Sequence, residues 1–166
     1  MADTTQNSAK QENEIKYTEW VPLSVYATIA FFLLILLTIA VAISSFIFDP
    51  IGRIVTISIC VPTGLFLLLI WLNFRGVNIT ITSFDITVKY GVFNKKNISI
   101  KELENCEITK ASFKTYIGFG VRIGTDSSLG FTTGFGDAVK LIIPDKRPFV
   151  FSTKNPQKIC ELLSKG

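Results

Sequence analysis

VPLSVYATIAFFLLILLTIAVAISSFIF (residues 21–48) and IGRIVTISICVPTGLFLLLIWLNF (residues 51–74) decide the architecture. Only Asp49 and Pro50 stand between them, and Arg53 is the one charge inside either run. At about 1.5 Å per residue the first run would reach roughly 42 Å as a helix, against a hydrocarbon core about 30 Å thick. It holds 17 Val, Leu, Ile and Phe residues. Such a composition favours insertion by at most roughly 5–10 kcal/mol. The two runs are therefore expected to be transmembrane helices forming a membrane α-hairpin. Asp49-Pro50-Ile51-Gly52 reads as its tight turn, because Pro and Gly supply the dihedrals of a reversal. Pro62 and Gly64 predict a kink in the second helix, read here as a packing notch.

Aromatic and basic residues mark the ends of the spans. Trp20 and Tyr26 at the start of the first, Trp71 at the end of the second and Arg53 at the turn are the expected membrane-interface anchors. Pro22 fits a first helical turn. Lys10, Lys16, Arg75 and Lys89 flank one side of the hairpin and Arg53 alone the other, which predicts a multi-pass protein of the cytoplasmic membrane with both termini cytoplasmic. Residues 1–20 carry four acidic and two basic side chains and no apolar period, so they read as a disordered cytoplasmic tail. The hairpin takes residues 21–74, and residues 75–166 form a separate domain.

That domain is basic. From Arg75 onward 14 Lys and Arg face 8 Asp and Glu, although the whole chain of 166 residues carries only +4. Mild basicity serves solubility, and beside a bilayer it also suits an anionic leaflet. The three cysteines, Cys60, Cys106 and Cys160, are widely separated, and there is no histidine. No metal site of the usual kinds and no cofactor is indicated. The odd count and wide spacing read as buried thiols in a reducing compartment rather than as a disulfide framework.

After Val77 the apolar period becomes two. Ile79 and Ile81 alternate with Thr80 and Thr82, and Ile86, Val88 and Tyr90 with Thr87 and Lys89, as in half-buried antiparallel strands. Ser83-Phe84-Asp85 and Asn94-Lys95-Lys96-Asn97 read as turns. Further strands are expected at Ile98–Ile100, around Cys106 and Ile108, and at 129–133, 138–143 and 149–152. An irregular glycine-rich stretch is expected at 111–128, and Pro144-Asp145-Lys146-Arg147 turns the last hairpin. Asn155, Pro156 and the face Ile159, Leu162 and Leu163 announce a C-terminal helix. The fold class is therefore two transmembrane helices plus an all-β barrel or orthogonal sandwich of about seven strands, capped by a C-terminal α-helix.

The order Gly118-Phe-Gly120-Val-Arg-Ile, Gly130-Phe-Thr-Thr-Gly134, Ala138-Val-Lys-Leu, Pro144-Asp145-Lys-Arg and Ser152-Thr-Lys-Asn-Pro156 resembles the prokaryotic PH-like domains found beside paired transmembrane helices. The resemblance covers about residues 77–163. It implies a PH-like fold and a membrane-anchored scaffold or binding module without catalysis. Phosphoinositide-binding relatives place several Lys and Arg on the first two strands and the loop between them. Here that loop is Ser83-Phe84-Asp85, and Lys89 alone follows.

Candidate contacts to an anionic surface are Lys89, Lys95, Lys96, Lys101, Lys146 and Arg147, each worth about 1 kcal/mol at a charged leaflet. The glycines between Gly118 and Gly136 miss both phosphate-loop patterns, and no helix follows them. Asp126, Asp137, Asp145 and Glu161 form no carboxylate pair at a defined spacing, so no catalytic residue is named and an enzyme is not expected. Nucleic-acid binding has the charge sign but not the density. Three functions remain. The leading one is a non-catalytic binding or scaffold module acting through a protein partner or homo-oligomer at the lipid bilayer. The second is an anionic-lipid sensor. The third is a subunit of an oligomeric transport or channel assembly, for which Ala40 and Ser44 have helix-contact spacing.

Overall fold

The computed structural model describes residues 14–48 and 52–164. Two helices dominate its first half, α1 (Val25–Phe48) and α2 (Arg53–Phe74). Both are long and apolar enough to cross a bilayer, with mean hydropathies of 2.7 and 2.3 over their most apolar 18 residues, of which 0 % and 6 % are buried within the molecule. A helix from a soluble core would be covered; these two turn Ile, Leu and Phe outward. Residues 49–51 of the expected turn and residues 1–13 of the expected tail lie outside the described residues. Beside Gly64, where an added Cβ would meet nothing, an apolar hollow of about 210 Å³ opens between the helices, lined by Ile35, Thr38, Cys60 and Leu67.

The first described element is a strand, not a tail. β1 (Ile15–Pro22) pairs antiparallel with β2 (Gly76–Thr82), from Ile15 opposite Thr82 to Pro22 opposite Gly76. Both helices are thus inserted between two neighbouring strands of one sheet. This corrects the expected disorder of residues 15–20 and the placement of Pro22 in a helix. Proline is tolerated here because β1 is an edge strand and Pro22 ends it. β3 (Asp85–Tyr90) and β4 (Asn94–Ser99) complete a four-stranded meander, β1-β2-β3-β4.

A short 3-10 turn, Ile100–Glu102, leads to the second sheet. Its strands are β5 (Asn105–Ala111), β6 (Gly120–Ile123), β7 (Leu129–Thr132), β8 (Gly136–Ile142) and β9 (Phe149–Ser152), in the order β5-β8-β9-β7-β6. A one-turn helix, α3 (Phe113–Tyr116), joins β5 to β6, and α4 (Pro156–Ser164) ends the domain. The described residues therefore hold nine strands rather than about seven. β6 lies inside the stretch expected to be irregular, and β7 runs parallel to β9 in a domain expected to be antiparallel throughout. Asn94–Asn97 belong to β4, so the reversal falls at residues 91–93 instead.

The two sheets share one core. Val77, Ile79, Ile81, Ile86, Val88 and Tyr90 from the first meet Phe131, Val139, Leu141, Phe149 and Phe151 from the second, and Ile159 and Leu163 of α4 close it. The period-two alternation read in β2 and β3 is the inward face of the first sheet.

Candidate binding groove

A hollow in the sheet domain lies where β5 meets α4. The sequence builds it from three local features. Ile100 and Leu103 turn the chain between the sheets, and the turn is tied by Leu103 N–H to Ile100 O at 3.1 Å. β5 follows, hydrogen-bonded to β8 on one side from Asn105 opposite Ile142 to Ala111 opposite Gly136. As the end strand of its sheet it has no strand on its other side among the described residues. α4 starts at Pro156, whose missing N–H costs nothing at a first helical position, and buries Ile159 and Leu163. The groove between these walls measures about 570 Å³ and is lined by apolar Ile100, Leu103 and Leu163 and by polar Lys101, Glu104 and Asn105.

Its floor holds a disulfide between Cys106 of β5 and Cys160 of α4, with Cα atoms 5.5 Å apart. This overturns the expectation of three free thiols; Cys60 alone is free. Spacing rules look for nearby cysteines, whereas these two are 54 residues apart and meet only because α4 packs on β5.

Glu19 lies in a stretch that reads as tail in the sequence, and nothing local marks it as buried. It is 8 % exposed, and its carboxylate accepts from Thr153 Oγ1 at 2.6 Å, from the Lys154 N–H at 2.7 Å and from Tyr17 Oη at 3.1 Å. Asn155 adds an amide hydrogen bond to Tyr17 Oη at 3.2 Å. These contacts strap β1 to the segment that starts α4. A buried carboxylate with three donors is well satisfied.

A second polar cluster sits behind β6 and β7. Ser128 Oγ donates to Asp126 Oδ1 at 2.6 Å, Lys140 Nζ lies 3.2 Å from Asp126 Oδ2, and Tyr116 Oη is 2.7 Å from Ser128 Oγ. Partial burial tends to raise the Asp126 pKa, but the hydrogen bonds from Ser128 and the contact with Lys140 outweigh it and hold the carboxyl below its usual range. Burial pushes the Tyr116 phenol up. Ser128 is fully buried, so this serine is closed to a substrate and the cluster fastens a loop. Among the described residues no group of three or more Cys, Asp or Glu is placed to hold a metal ion.

The six basic candidates fall into two groups. Lys89 and Lys95 face each other across β3 and β4, both exposed, next to the 91–93 turn, and Lys96 lies opposite Val88. That turn sits at the foot of α2, where Phe93 N–H meets Asn73 Oδ1 at 3.4 Å. Lys101, Lys146 and Arg147 lie at the other end of the strands, about 20 Å away at roughly 3.3 Å per residue. Lys146 pairs there with Glu102 at 2.6 Å. Both partners are more than half exposed, so this pair adds little stability.

The expected anchors cluster near the helix ends. Tyr26 is exposed on the first turn of α1, and the Trp71 ring meets Phe32 edge-on at 6.2 Å. Trp20 stands on β1, with the Arg75 guanidinium 5.8 Å from its ring. Arg53 folds back on the end of α1, its Nη2 donating to Phe46 O at 3.0 Å. Comparison with protein-family models, with curated proteins and with solved structures finds no match.

Proposed function

We propose that this protein is a membrane-anchored, non-catalytic binding module of PH-like type, which takes an extended segment of a protein partner along the free edge of β5 beside α4. One observation carries the proposal: an edge strand and a helix flank a half-apolar groove of about 570 Å³. Strand addition supplies main-chain hydrogen bonds for affinity, and alternate side chains falling into the groove supply selectivity. Ile108, more than half exposed on β5, is an apolar contact waiting for a neighbour. A second copy of the chain meets the same chemical requirements as a different partner.

Lys16, Arg75 and Lys89 on the domain side of the hairpin, against Arg53 on the other, support a cytoplasmic domain. The Cys106–Cys160 bridge pulls the other way, since disulfides persist in oxidising compartments. Alkylating with a membrane-impermeant maleimide, before and after reduction, in intact and in permeabilised cells, assigns the side and the bridge together.

A photo-crosslinking residue placed at Asn105 or Ile108, in the full chain in its native membrane, tests the groove. The expected result is one discrete adduct from both positions and none from Thr80 on the inner strand β2. No adduct from either position, with a monodisperse monomer in detergent, overturns the proposal.

A further inference from the structure

We infer that the helix-facing end of the sheet domain is itself a lipid-contacting surface, whose apolar loop tips enter the headgroup–acyl boundary around the two helices. The inference rests on the membrane-anchored reading of α1 and α2 and adds a second mode of attachment to it. Three loops converge on the helix feet. The 91–93 turn packs on the last turn of α2, with Gly91 (φ +61°) so close to the Asn73 carbonyl that a Cβ there would overlap it. The 133–136 loop meets the start of α1, with Ser24 N–H donating to Thr133 O at 2.8 Å. The 117–120 loop lies against Phe74, and its Phe119 ring stands 4.7 Å from the ring of Phe135.

Each loop carries large apolar side chains into the open. Phe93 is 79 % exposed, Val92 67 %, Ile117 61 % and Phe135 49 %. Scattered exposed hydrophobes need no explanation, but four of them on three loops around one pair of helix ends form a collar. Trp20, Tyr26 and Trp71 all lie toward this end of the helices, where amphipathic rings favour the interface.

Charge agrees with this assignment. Lys89 and Lys95 are directly opposite on β3 and β4. Like charges in that position repel each other, and anionic headgroups beside them relieve the repulsion. The occupant is therefore a lipid surface, continuous with the bilayer around α1 and α2. A water-soluble protein partner would meet this end of the domain only by displacing lipid.

The test uses the full chain with Cys60→Ser, reconstituted in vesicles containing anionic lipid, with the native bridge kept oxidised. Single spin labels are placed through Phe93→Cys, Phe135→Cys, Leu36→Cys within α1 and Asp145→Cys in the far β8–β9 turn. Collision with oxygen and with a water-soluble nickel complex reports depth. Labels at 93 and 135 are expected to favour oxygen several-fold relative to 145, approaching the label at 36. If 36 lies in hydrocarbon while 93 and 135 match 145, the collar is wrong and the anchor stands. If 36 is also aqueous, the anchor and the collar fall together. Should Phe93→Cys fail to fold, Val92→Cys on the same tip gives the same readout.

Discussion

Replacing both bridged cysteines, Cys106→Ser with Cys160→Ser, should lower the stability of the sheet domain by up to about 4 kcal/mol. The figure follows from the 54-residue separation that the bridge closes, for which the chain-entropy relation gives roughly 4 kcal/mol at 25 °C. It is a ceiling, because Ile159 and Leu163 still hold α4 against the core when the bridge is gone. In a domain of about 100 residues each kcal/mol moves the midpoint by about 4–8 °C, so the melting temperature should fall by up to roughly 15–30 °C. Thermal unfolding of the full chain in detergent, followed by circular dichroism in the strand region, measures it. Reductant added to the parent should reproduce the shift and leave the double variant unmoved. Cys60→Ser, which touches no bridge, should melt with the parent. A double variant that melts with the unreduced parent, together with a parent indifferent to reductant, would refute the covalent link between β5 and α4.

Glu19→Ala should cost about 1–3 kcal/mol, because it leaves the buried Thr153 hydroxyl without its acceptor and the part-buried Lys154 N–H without its own; Glu19→Gln should cost less, and denaturant titration separates the two. Gly91→Ala should disrupt the seat of the 91–93 turn on α2, since the added carbon overlaps the Asn73 carbonyl at φ +61°, while Gly64→Ala should be nearly neutral; limited proteolysis reads the contrast. Asp126 is held below its ordinary pKa, so its share of stability is present above the unfolded value near pH 4 and is lost as pH falls through the folded value. Asp126→Asn should flatten that acid limb in a series of melts between about pH 2 and 6. Replacing residues 23–75 by Asn-Gly should give a soluble, folded sheet domain, because Pro22 and Gly76 are strand partners that a two-residue turn can join. A chain beginning at residue 75 should instead expose the β2 edge and aggregate, which sedimentation distinguishes.

The elements legible in the sequence were those whose pattern is local. The two apolar runs, the alternation of Ile79, Ile81, Ile86 and Val88, and the Pro156 start with its Ile159 and Leu163 face each carry their signal within one element. β1 carried the same alternation, burying residues 19 and 21, but one inward position is a glutamate. A carboxylate on a buried face looks polar until Thr153 and Lys154, more than 130 residues away, supply its donors. β6 is four residues long and starts on Gly120, two residues after Gly118, both at positive φ, so composition points to loop. Lys95 and Lys96 looked like a tip because lysine and asparagine favour turns; the register to Lys89 and Val88 makes them strand. The groove depends on α4 lying against β5, a long-range contact with no local mark.

Placing the helices between β1 and β2 makes them part of the sheet rather than an appendage to it. A helix pair joined at one end alone would let the domain swing relative to it. Here the chain leaves the sheet at Pro22 and returns at Gly76, opposite positions of one ladder, and the Leu23 N–H bonds Arg75 O at 2.9 Å just above them. Two covalent crossings side by side, with Ser24 held by Thr133 and the 91–93 turn held by Asn73, fix how the domain stands on its helices. That fixed stance turns the apolar loops toward the helix feet and holds Lys101, Lys146 and Arg147 at the opposite end of the strands. Basic residues counted along the chain looked like one patch. The ladder divides them into Lys89, Lys95 and Lys96 toward the helix feet, with Lys96 opposite buried Val88, and Lys101, Lys146 and Arg147 at the far end, where Lys101 is part of the groove lining.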